Sequence, residues 1–222
     1  GNQSYHKRTV RGSNFWADSN IRNWLNSTAQ AGEVAYTCGN VPNDAGIYGG
    51  LNSYESESGF LSSDNFSDEE LSYIRETTQK VAINEVDKAF ASSGSKEHVY
   101  TDNIEECVQN YDTDAFTMQV TDRMFFLNCV QLNAVYENFK DSGDQYWLAY
   151  PTEAAVEHSE YKSSDLRADK MWFYWLRDAM GDSPFPTHVR HVNPNEGVYF
   201  SWAHNDLQIG IRPAFYLNAG EG

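Results

Sequence analysis

The sequence predicts an α+β domain. Three observations carry that expectation. Two stretches have a capping residue followed by apolar residues at helical spacing. Several short apolar runs are bounded by Gly, Pro and Asn, as strands are. Aromatic residues make up 14% of the 222-residue chain, including 6 Trp and 14 Tyr, a load that must fill a core or form a contact surface. No internal repeat and no clean linker divides the chain, so residues 1–222 are expected to form a single domain, which is long enough to bury a core without staples.

The first element is "DSNIRNWLNS", Asp18 to Ser27, with Asp18 or Ser19 as cap and Ile21, Trp24 and Leu25 on one helical face. From about residue 28 to residue 65 the chain is rich in Gly, Ser, Asn and Ala without a sustained period, and reads as a loop insertion. "SDEELSYIRETTQKVAI" then reads as one helix. Ser67 and Glu70 form its capping box, and Leu71, Ile74 and Thr78 face the core. Residues 84–121 read as a second irregular insertion carrying the acidic patch "DNIEEC".

Met124 to Leu127 is an apolar strand in this reading, and Val130 to Phe139 a helix with Leu132, Val135, Tyr136 and Phe139 in phase. "QYWLAYPT" is an apolar segment ended by Pro151. "KMWFYWLRD", Lys170 to Asp178, reads as a strand buried on both faces. "NPNEG" marks a turn between two short strands. "IGIRPAFYL" closes the core, with Ile209, Ile211, Ala214, Phe215 and Leu217 as its buried side. The large side chains expected inside are Trp24, Phe125, Phe126, Trp175, Leu176, Ile211 and Phe215.

Charge excludes several partners. Lys plus Arg is 16 and Asp plus Glu is 32, for a net charge of −16. Phosphate backbones and anionic lipids repel such a chain, so nucleic acid is not expected as a partner. No apolar run approaches the roughly 20 residues that span a bilayer, so no membrane insertion is expected. No signal peptide is visible, and the start "GNQSYHKRTV" reads as a cut edge, of an excised piece or of a mature protein. Cys38, Cys107 and Cys129 lack a Cys-x-x-Cys pair, which removes the usual zinc and thioredoxin signatures. Cys129 reads as a small buried residue, and a Cys38–Cys107 disulfide is left open.

The phrases "SNIRNWLNS", "FSDEELSYI", "TDRMFFLN", "YWLRD", "VNPNEGVYF" and "GIRPAFYL", in that order, resemble a family of domains common in secreted and surface proteins of anaerobic gut bacteria. Its members resemble the C-type lectin fold in the version shared with the formylglycine-generating enzyme family. The resemblance spans about residues 14–218 and implies two main helices on a small, twisted, mainly antiparallel sheet, with long loop insertions. It also implies an extracellular or cell-surface setting, on a bacterium or a phage.

Variable proteins of diversity-generating retroelements use the same fold, and rewrite a C-terminal segment into a ligand-binding face. By that resemblance, residues 178–208 are the candidate variable segment. Its ligand-binding candidates are Asp182, Ser183, Phe185, His188, His191, Asn193, Asn195, Tyr199, Ser201, Trp202, His204, Asn205 and Asp206. Tyr and Trp give contact area at little entropy cost, and Asn, Ser, Asp and His give adaptable hydrogen bonds. An ordinary family member with a polar hairpin is the other reading. Trp202 shares strand parity with Val198 and Phe200, which would turn it inward unless the strand ends or bulges before it.

The expected partner is a protein or glycan, with no cofactor. His188 and His191, three apart on a strand, point to opposite faces and read as two independent surface histidines rather than a metal pair. Val189 and Val192 share that odd spacing, a hint of a bulge. "NPNE" followed by "WAHND" shares vocabulary with calcium sites of sugar-binding C-type lectins, at a shorter spacing, so a calcium-dependent lectin is a rival reading. Formylglycine-generating enzymes need a late reactive cysteine pair, and no cysteine follows Cys129. No other catalytic motif replaces it, so the chain is expected not to be an enzyme. A degenerate enzyme-fold domain with a structural role is the remaining alternative. Arg177 and Arg212, set among apolar residues, are expected to tie strands to loops, with Asp178 or Asp122 as partners.

Overall fold

The structure is a computed structural model, and it describes residues 14–37, 41–47, 50–82, 117–161, 163–179, 188–203 and 208–218. The fold is α+β, with short helices and small antiparallel sheets.

A 3-10 turn, Trp16–Asp18, leads into α1, Asn20–Leu25. Ser19 caps α1 by accepting from the backbone N–H of Arg22. Leu25 is fully buried, whereas Ile21 and Trp24 pack at the edge of the core. The segment after α1 has turns but no strand among its described residues, and it docks back on α1. Phe60 and Leu61 donate their backbone N–H groups to the carbonyls of Trp24 and Ser27. Gly59 lies at this contact, where a Cβ would sit 2.2 Å from the Ser27 oxygen, so only glycine lets the two chains approach.

The capping box of Ser67 and Glu70 starts α2, Asp68–Tyr73, but the helix stops there. The sequence reading of one long helix is corrected by β1, Ile74–Arg75, and β2, Thr77–Ala82. β-Branched Thr77 and Thr78 resist helix and suit a pleated ribbon. β2 pairs antiparallel with β3, Thr117–Asp122, from Thr77↔Asp122 to Ala82↔Thr117. Residues 117–121, read as the end of an irregular insertion, are therefore strand. Thr78 and Thr121 share a hydroxyl bond of 2.9 Å across the pair.

Met124–Leu127 is not a strand. Phe125 makes a single antiparallel bridge to Ala214, and Met124, Phe125 and Phe126 are all buried. Asn128 and Gln131 form a second capping box, which opens α3, Cys129–Phe139. Buried Asp178 accepts the Cys129 N–H at 2.7 Å, placing a carboxylate on the first turn of α3. A fourth helix, α4, spans Glu153–His158 and is capped by Thr152.

β4, Tyr174–Ala179, pairs with β5, His188–Asn193, and β5 pairs with β6, Gly197–Trp202. The β5–β6 hairpin register is unbroken from Asn193↔Gly197 to His188↔Trp202. The bulge lies on the other side of β5. Trp175 pairs with His191 and Ala179 with Val189, so β4 advances four residues where β5 advances two. Leu176, Arg177, Asp178 and Ala179 are consequently all buried, which strict alternation would not permit.

The chain end does not form the buried strand that its apolar residues suggest. Ile209 is buried, but Ile211, Phe215 and Leu217 are 44%, 45% and 63% exposed. Inward contacts come from bridges at Gly210 and Ala214, and β7, Tyr216–Leu217, pairs with the two-residue β1.

Candidate functional site

A cavity of about 870 Å3 collects residues from segments far apart in sequence. α1 contributes Ile21 and Trp24, and the first insertion contributes Ile47, Tyr54 and Glu57. Tyr150, His158 and Tyr161 come from around α4. Trp172 to Arg177 run along it, and Gln208 to Pro213 complete it together with Val189 and Ala203 of the hairpin. Clefts of this size with an aromatic lining are a usual form of small-ligand sites.

Hydrogen bonds fix the rim. Trp172 donates its indole N–H to the Gln208 carbonyl at 2.6 Å. Trp24 donates to the Ser58 carbonyl at 3.0 Å. Asn52 and Glu160 hold each other: the Asn52 side-chain oxygen accepts the Glu160 backbone N–H at 3.0 Å, and the Asn52 backbone N–H donates to the Glu160 carboxylate. The indole N–H groups of Trp24 and Trp172 thus serve the frame.

Two arginines line the cavity, and neither makes an ion pair among the described residues. Arg177 donates to the carbonyls of Phe126 and Lys80 and to the Gln131 side chain, with its guanidinium 5.4 Å from the Phe125 ring centre. Arg212 donates to the Tyr146 carbonyl at 2.9 Å and lies 5.0 Å from the Tyr174 ring centre. Both do tie separate segments, but to neutral acceptors rather than to Asp178 or Asp122. Asp122 instead holds Arg22 at 2.7 Å and the Trp16 indole at 2.9 Å.

Burial sets the titration of nearby groups. It pushes the Glu57 carboxyl up. It pushes the Tyr36 phenol up to about 12, with Glu57 and Glu55 adding to the shift. Tyr174 is also raised by burial, against the opposing influence of Arg212.

The sequence candidates fall into three groups. Tyr199 and Trp202 are exposed, at 37% and 46%, and Asn195 is exposed at the hairpin turn. Ser201 is half-buried. Trp202 keeps the strand parity of Val198 and Phe200 and pairs with His188, yet at the last position of β6 it is exposed.

His188, His191 and Asn193 are buried, which corrects their reading as surface groups. The His188 ring lies 5.2 Å from Phe200 and 5.6 Å from Trp202. The His191 ring lies 5.7 Å from Trp175 and 5.9 Å from Tyr199. Asn193 builds the turn: it accepts the Asn195 N–H at 2.9 Å and donates to Glu196 at 2.7 Å. Those oxygens of "NPNE" are engaged within the turn. No group of three or more His, Cys, Asp or Glu that could hold a metal occurs among the described residues.

Asp182, Ser183, Phe185, His204, Asn205, Asp206, Cys38 and Cys107 lie outside the described residues. Cys129 is buried and is not part of a disulfide. No helix of the described residues is long and apolar enough to cross a membrane.

Sequence reasoning missed the contributions of Val41 to Glu57, of α4 and of Trp172. Thr152, directly after Pro151, was the available signal for α4. Nothing in the local composition of the first insertion marked it as part of a cavity.

No curated protein and no solved structure matches the chain. A family model, described as a domain of unknown function, matches residues 1–219, nearly the whole length, and the chain therefore belongs to the DUF6273 family.

Proposed function

We propose that the chain is a non-enzymatic ligand-binding module of C-type lectin-like fold, displayed on a cell or phage surface, whose cavity takes a glycan or protein ligand. One observation carries this reading. Val189, Ala203 and Gln208, all from segment 178–208, line the same aromatic cavity as Trp24, Trp172 and Trp175. The candidate variable segment thus borders an aromatic frame, with Tyr199 and Trp202 exposed on the same hairpin. This placement supports the variable-protein reading. The lack of any cysteine after Cys129 supports a binding role over a formylglycine-generating one.

The test is binding of the whole chain to arrays of glycans and of surface proteins, with a Tyr199→Ala/Trp202→Ala variant alongside. The reading expects a retained ligand whose signal falls in the variant while its melting temperature holds. Equal retention by both proteins would move the site off the hairpin. In the genome, a reverse transcriptase gene and a near-repeat of the final coding segment, differing at adenines, are expected. Their absence would return the segment to an ordinary polar hairpin.

A further inference from the structure

We propose that the cavity selects an anionic saccharide and seats its acid group on Arg212. This rests on the binding-module reading and narrows it to one ligand class.

The charge of the cavity runs against that of the chain. The chain carries 16 Lys plus Arg against 32 Asp plus Glu. The described residues lining the cavity include Arg177, Arg212 and His158 but only one acid, Glu57. The two arginines outnumber that single carboxyl, which burial also raises above its ordinary pKa. A protein that is anionic overall thus presents a cationic recess, and field lines focus in such a recess.

Arg212 is the group left to act. Its Nη1 is buried and has no hydrogen-bond partner. Its other contacts are the Tyr146 carbonyl and Tyr174, whose ring it faces and whose hydroxyl it influences; neither is an anion, so its charge is not neutralised by an ion pair among the described residues. A buried guanidinium N–H without an acceptor is unfavourable, and an incoming carboxylate or sulfate would satisfy it with a charge-assisted bond. Arg177 gives its Nη groups to three neutral acceptors and its buried Nε also lacks a partner, so it adds positive potential without being cancelled by an ion pair among the described residues.

The rest of the ligand is read from the aromatic surfaces. Trp172 and Trp175 line the cavity beside the Gln208 to Arg212 stretch. The C–H face of a pyranose ring packs on such flat surfaces.

The experiment titrates the full chain by calorimetry with three probes: a short oligogalacturonate, its methyl ester, and a sulfated oligosaccharide. At least one acidic probe is expected to bind, with the free acid about ten-fold tighter than its ester, the size of effect one charge-assisted bond gives. Affinity should fall as salt is raised. Arg212→Gln should lose that ten-fold preference, and Arg212→Lys should keep part of it. If neither variant folds, the comparison of acid with ester on the native protein still decides.

Tighter binding of the sulfated probe than of the uronate would assign the acid group as sulfate and keep the proposal. Equal affinity for acid and ester would overturn the anionic preference and leave the binding module standing. Binding of an array-retained protein at the cavity, with none of the saccharides bound, would overturn the saccharide assignment alone. A retained ligand unaffected by changes at both the hairpin and the cavity would sink the module reading itself.

Discussion

Trp172 donates its indole N–H to the backbone carbonyl of Gln208 at 2.6 Å, 36 residues away in sequence. That bond holds the last segment of the chain against the approach to β4, and both partners line the cavity. With the N–H engaged, the indole is fixed in orientation. Replacing it should therefore disturb both shape and binding.

Trp172→Phe keeps a ring but removes the donor. Loss of one partly buried hydrogen bond costs about 1 kcal/mol. Chemical denaturation is expected to report a loss of that order, and ligand affinity should fall with it. An unchanged midpoint together with unchanged affinity would mean that the Gln208 contact positions nothing.

Asp178 is fully buried and accepts the Cys129 N–H at the start of α3. Asp178→Ala would leave that N–H without its acceptor and remove an anion from a helix N-terminus. The expected cost is about 2–3 kcal/mol, read from the denaturation midpoint. Asp178→Asn keeps an oxygen in place and should recover part of it.

Tyr199 and Trp202 make the opposite case. Exposed substitutions usually change stability within about 0.5 kcal/mol. Alanine at either position should leave the melting temperature nearly unchanged. By contrast, truncating fully buried Leu176 should cost about 2–5 kcal/mol. If the two exposed changes destabilise as strongly as Leu176→Ala, the hairpin surface is structural.

The pH behaviour follows from two raised groups. Tyr36 titrates at about 12 in the fold, against 10.0 for an ordinary tyrosine. Its contribution to stability is fully present below pH 10 and is lost as pH rises through about 12. Tyr36→Phe should remove a late step from the alkaline titration of tyrosine absorbance. Glu57 is raised above its ordinary 4.5, so its contribution is present below that pH and lost as pH climbs through its folded value. At neutral pH the Glu57 charge is therefore held at a cost. Glu57→Gln should raise stability by no more than about a few tenths of a kcal/mol after solvent screening, and should strengthen binding of an anionic probe.

Local signals in the sequence carried far. Ser19, Ser67 with Glu70, and the "NPNEG" turn each act through bonds made within a few residues, and each is where the text places it. β2 was hidden because Thr77–Ala82 continues a helix-like phrase, while its partner strand begins 35 residues after it ends, at Thr117. Ile211 and Phe215 misled because apolar character alone does not say which residues bridge inward, and here those are Gly210 and Ala214. The bulge in β4 places Arg177 and Asp178 inside, and no alternation pattern announces it. The cavity was least legible, since it forms only when segments from Asn14 to Pro213 meet.

The most direct test of the cavity as the ligand site uses fluorotryptophan in place of the 6 tryptophans and follows each resonance by fluorine NMR. Trp147 packs against Tyr136, outside the cavity, and serves as the internal control. With saturating oligogalacturonate, or with a ligand retained on the arrays, the resonances of Trp24, Trp172 and Trp175, which line the cavity, are expected to move while that of Trp147 stays. A ligand that binds by calorimetry yet moves Trp147 alone, or moves none of the other three, would contradict the account.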